Sequence, residues 1–139
     1  MYVSTKTGTG GFLGTASAGP VYTWMGPGNS PGNDVYMLNT QSFVVVTRPA
    51  SLGFYGMSRP SSTNSSYRFG GSTTTVSNAS AAHGSETIEV YKVDRTVVGF
   101  YDVYGASRMS FYSIGESLDL ALLDARVSTL MSDLAAAIP

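Results

Sequence analysis

A chain of 139 residues in which 12% are charged and 42% hydrophobic carries a net charge of −1, so no overall field gathers nucleic acid or an anionic membrane surface. The length suffices for one domain with a core, and low charge beside 12% aromatic residues describes a folded chain rather than a disordered one. The lack of cysteine excludes disulfide staples, zinc–thiolate sites and thiol catalysis together.

In chain order, residues 1–19, "MYVSTKTGTGGFLGTASAG", are small and nearly uncharged. Glycine and serine lose much entropy on ordering, so an extended arm is expected here. The same start has neither a basic region nor an apolar run, so no secretion signal is expected and synthesis in a cytoplasm is. No uncharged apolar window is long enough to span a membrane.

Residues 20–112 read as a β body. "PVYTWM", "DVYML", "SFVVVTR" and the weaker "SLGFYGM" are enriched in strand formers. "GPGNSPGND" between the first two is dense turn chemistry. "FVVV" is apolar on both faces and predicts a central strand covered on both sides. Residues 58–85 are polar, and read either as a long exposed loop or as edge strands such as "STTTVSNA" joined by turns. In "ETIEVYKVDRTVVGFYDVY" two β-rich runs flank "DR", which predicts a hairpin there.

Residues 113–139 hold the helix, expected from about 117 to 137. Asp119 falls in its first turn, where the helix dipole favours negative charge, and "SIGE" before it matches a capping box. Leu120, Leu123, Val127, Leu130 and Leu134 recur at intervals of three and four, an a/d seam. Leu118 and Leu122 fall on the opposite face. Two readings compete: a terminal helix packed on its own sheet, or a helix that associates with one or two further copies of itself. Both hold together if Leu118 and Leu122 face the sheet while the seam faces a sister subunit. An isolated helix of this length is marginal in water, so it must pack on something.

Chemistry-bearing motifs are sparse. His83 is the single histidine and sits in a small-residue stretch with no carboxylate at ligand spacing, the pattern of a bystander. "GTGGFLG" fails as a phosphate loop, because Leu13 stands where glycine is required and no Lys-Ser or Lys-Thr follows. Glu86 and Glu89 lie an odd interval apart, which puts them on opposite strand faces and disfavours a paired acid–base or calcium site. Asp94 and Asp102 beyond them read as solvated strand charges. No catalytic residue, cofactor or metal ligand is therefore expected. Tyr22 and Trp24 share one strand face and, with Tyr67 in the polar stretch, are the candidates for surface contact with a glycan or receptor, since such rings pair an apolar body with a polar tip.

The low charge, the Ser/Thr/Gly/Tyr-rich β body, the small-residue start and the "LALLDARVSTLMSDL" helix resemble the small accessory structural proteins of tailed bacteriophages: head decoration or cement proteins, short fibres and tail-associated proteins. The resemblance spans the chain and is compositional, so no site residues are carried over. It implies a non-enzymatic virion protein, made in the host cytoplasm, that forms a homo-oligomer, a trimer favoured, and binds other virion proteins such as the major capsid or tail protein; many weak contacts add through repetition in such arrays. The expected architecture is mainly β, an antiparallel sandwich or jelly-roll-like body with an extended N-terminal arm and one C-terminal α-helix. The alternative is a receptor- or glycan-binding module using exposed tyrosines and residues 58–85.

Overall fold

The structure, a computed structural model, describes residues 1–5, 13–17, 21–27, 33–41, 44–47, 52–82, 87–94, 103–104 and 108–138. Among these the chain is mainly β with a single C-terminal helix. The strands are β1 (Tyr2–Thr5), β2 (Leu13–Ser17), β3 (Val21–Pro27), β4 (Asn33–Thr40), β5 (Val44–Thr47), β6 (Gly53–Ser58), β7 (Asn64–Phe69), β8 (Ser72–Ser77), β9 (Glu89–Val90), β10 (Lys92–Asp94), β11 (Val103–Tyr104) and β12 (Arg108–Phe111). Helix α1 follows at Leu120–Ala137. One sheet has the order β12-β1-β6-β7-β8 and the other β11-β10-β2-β3-β4-β5, with β9 also paired to β2. Pairing is antiparallel except between β10 and β2.

The two sheets share one core. Tyr55 from the first and Leu13, Met25 and Tyr36 from the second bury together with Met1. Tyr36 stacks on Tyr67 across the sheets with ring centroids 4.7 Å apart, and Tyr55 meets its cross-strand partner Phe69 at 5.0 Å. Such ring pairs add about 0.5–1.5 kcal/mol beyond the area they bury.

Tyr2–Thr5 and Leu13–Ser17 are strands of the body, which corrects the expected arm over 1–19. β1 lies between β12 and β6, and β2 between β10 and β3. Met1 closes the pairing: its ammonium donates to the Tyr55 carbonyl at 3.1 Å, and Tyr55 N–H donates back to the Met1 carbonyl at 2.8 Å. Ladder hydrogen bonds and the burial of Met1 and Leu13 offset the ordering cost that the composition foretold. The remaining positions of the expected arm lie outside the described residues.

"FVVV" also departs from expectation, since β5 ends the order of its sheet rather than sitting centrally. β3 is buried on both faces over Val21–Met25, and β6, "GFYGMS", is covered on both as well. Its Tyr55 and Met57 turn to the core, and its Phe54, Gly56 and Ser58 turn towards α1. The polar 58–85 stretch supplies a full hairpin. β7 and β8 pair at six positions around Gly70 and Gly71, at φ 55° and 78°. Two consecutive left-handed residues are the demand of a tight two-residue hairpin, and glycine meets it without a Cβ penalty. The hairpin expected at "DR" lies further on: Lys92 faces Tyr104 and Val93 faces Val103, so β10 continues through Asp94.

Candidate functional site

Two features on one side of the molecule have the character of a site: the face of α1, and a cavity where α1 begins. The helix starts at Leu120 because Asp119 caps it. Asp119 Oδ1 accepts from Ala121 N at 2.8 Å and Leu122 N at 3.0 Å, with Asp119 itself extended. "SIGE" lies upstream of the helix, so the capping expected of it is performed by Asp119 instead. Such a cap contributes about 1 kcal/mol.

Once started, α1 lies on the outer face of β6, β7 and β8. Leu120 and Val127 are buried there. Gly56 permits the approach, because a Cβ at that position would stand 2.6 Å from the Phe54 ring and 3.0 Å from Leu120 Cδ2. A side-chain ion pair fixes the angle: Arg68 Nε donates to Asp124 Oδ2 at 2.8 Å, with each side chain only 14% exposed. Arg68 is steadied by Thr73 and Asp124 accepts from the Ser128 hydroxyl.

The seam divides unequally. Leu120 is 7% and Val127 3% exposed, while Leu130 is 44%, Leu134 43% and Ile138 68% exposed. Leu123 is half-buried. Leu130 and Leu134 continue the stripe that Leu120 and Val127 begin, yet they stand exposed. Leu118 and Leu122, expected to face the sheet, are 55% and 54% exposed. The expected division is thus reversed at the helix start: the seam itself seats on the sheet, because Gly56 opens a recess for Leu120.

The other sequence candidates separate. Tyr22 and Trp24 are 6% and 2% exposed and belong to the interior; large rings on a central strand gain more from burial than from solvent contact. They are therefore not surface-binding residues. Tyr67 is half-buried and committed to its stack on Tyr36. His83, Glu86 and Asp102 lie outside the described residues. Glu89 pairs with Lys92 at 3.0 Å.

The cavity, about 290 Å³, opens between the ends of the two sheets beneath residues 113–118. Leu13, Met25, Met57, Ile88 and Leu120 give it an apolar floor, and Thr23, Asn39, Ser58 and Arg59 give it polar walls. The 113–118 segment is pinned across it where the Ser58 and Ser117 hydroxyls meet at 2.5 Å. One wall is shaped by a β-bulge. Tyr22 faces Thr40 and Trp24 faces Met37, so Thr23 alone opposes Leu38 and Asn39. Asn39 takes the bulge's left-handed conformation at φ 48°, which asparagine tolerates better than most residues.

Arg59 was missed by motif reasoning. Its Nε and Nη2 donate to the Leu38 carbonyl at 2.9 and 2.6 Å, and its Nη1 donates to the Asn78 carbonyl at 2.9 Å. It thereby ties β4 to the chain leaving β8. Every acceptor is a neutral oxygen, and burial lowers its pKa from the ordinary value. The only forewarning is an arginine within an otherwise uncharged run, "MSRPSS".

No family model matches the chain, and neither a curated protein nor a solved structure matches it.

Proposed function

We propose that this chain is a non-enzymatic structural protein of a virus particle, an accessory component of a tailed phage that decorates or stabilises the head or forms part of the tail or a fibre. It self-associates, as a trimer, and binds other virion proteins. The observation that carries the reading is the bare second half of α1, where Leu130, Leu134 and Ile138 prolong a stripe whose first half is buried. Contiguous exposed apolar surface of this kind marks association. The glycan-binding alternative loses support with the burial of Tyr22 and Trp24.

Deleting the whole helix would uncover β6, so self-association is tested by Leu130→Glu with Leu134→Glu. Light scattering is expected to give a trimer for the parent and a monomer for the variant, both with the same circular dichroism. A monomeric parent overturns self-association. Immunogold labelling of particles from infected cells is expected to decorate the virion; recovery of the chain wholly in the particle-free supernatant overturns the virion assignment.

A further inference from the structure

We propose that the cavity beneath residues 113–118 is a binding site for a small amphipathic carboxylate, an apolar chain of about ten carbons whose head group lies against Asn39 and Arg59. At about 290 Å³ the space equals roughly ten waters at their liquid share of ~30 Å³, and sits at the lower bound of ligand pockets. That suits a single slender chain. The floor of Leu13, Met25, Met57, Ile88 and Leu120 offers such a chain only carbon and sulfur, and groups lining an empty apolar space forfeit their dispersion contacts. Two methionines in that floor adapt to an irregular occupant.

The polar end is built rather than incidental. The Thr23 hydroxyl donates to Asn39 Oδ1 at 2.9 Å and accepts from Asn39 N–H at 3.3 Å. This fixes the amide with Nδ2 as a donor unspent among the described residues. The bulge and the left-handed φ of Asn39 are the device that turns this residue to the cavity wall, and bulges recur where a strand re-aims a side chain at a site. Beside it, the half-buried Arg59 spends its N–H groups on neutral oxygens, so its charge has no carboxylate partner among the described residues and acts on the cavity through its field. Glu116 also borders the opening, but it is exposed and solvated, and water and salt screen it more than they screen Arg59. The field at the polar end therefore favours an anion. Ile114 and Leu118, exposed on the segment above, close over the chain.

The test uses the full chain, labelled with ¹³C at its six methionine methyls and titrated with sodium decanoate or with 1-decanol. Met25 and Met57 line the cavity, whereas Met131 lies on the α1 stripe and reports adsorption there. Decanoate is expected to shift the Met25 and Met57 methyls saturably at one per chain, and to bind about tenfold more tightly than decanol. Ile114→Trp, which adds bulk at an exposed position, is expected to weaken decanoate about tenfold without lowering the melting temperature. Arg59 also clamps β4, so charge is varied on the ligand rather than on the protein. Shifts confined to Met131, or no saturation by millimolar decanoate, overturn the site. Decanol binding as tightly as decanoate overturns the assignment of an anionic head.

Discussion

The two halves of α1 share one apolar stripe and have opposite fates. From Leu120 to Val127 the stripe meets a sheet that has made room for it: glycine at position 56, Phe54 beside it, and Arg68 reaching up to Asp124. From Leu130 to Ile138 the same spacing runs on with its leucines and isoleucine exposed. Periodicity measures how much of a helix wants covering. It does not say what covers it, and here the cover is half internal.

Breaking the anchored half should have the largest effect. Leu120→Ala removes a buried side chain wedged against Phe54 and Gly56, and is expected to cost about 3 kcal/mol, read as a fall in the urea midpoint at constant m-value. A similar loss without substitution is expected from pH. The Met1 ammonium is pushed down to about 6 by burial, against the opposing pull of Asp124. The folded chain therefore holds that proton more weakly than the unfolded chain does. This stability is fully present above about pH 8 and is lost as pH falls through 8 towards 6, to the extent of roughly 2 kcal/mol. Urea titrations at pH 6 and pH 8 measure it, and acetylating the amine is expected to flatten the slope. Next comes Arg68→Ala, which strands Asp124 in a largely buried position; about 2 kcal/mol is expected, together with faster amide exchange along α1. The smallest effect on folding belongs to the bare half. Leu130→Glu with Leu134→Glu is expected to change the monomer's stability by no more than about 0.5 kcal/mol while abolishing association. A large folding defect there would erase the contrast between the halves.

The β-rich character, the strands at 21–27, 33–40, 44–47 and 53–58, and the terminal helix were legible because Val, Tyr and Phe cluster in runs and the leucines recur at helical spacing. β1 and β2 were not. "YVST" and "LGTAS" carry little apolar weight of their own, and their order comes from partners fifty or more residues away for β1 (Gly53, Phe54 and Arg108–Phe111) and from β3 and β10 for β2. The position of "FVVV" in its sheet was illegible for the same reason: strand order is a long-range property, and β6 earns its double cover from α1 rather than from its own hydrophobicity. At the cavity, the apolar floor was visible only as ordinary core residues. The polar end depends on a bulge in the β3–β4 pairing, which no local pattern announces.

The place of β1 also bears on how the chain comes off the ribosome. Tyr2 pairs with Phe54 on one side and with Phe111 on the other. β1 is made before both of its partners, and one of its flanks stays open until Arg108–Phe111 have followed. Loop closure over such separations is slow compared with local hairpins. The β7–β8 hairpin, turning on Gly70 and Gly71, can form early and alone, whereas β1 must wait, unpaired along one edge, for Arg108–Phe111 to emerge. Nascent chains stalled before that point would present an open strand edge, the state in which a β protein is most exposed to aggregation and to chaperone capture.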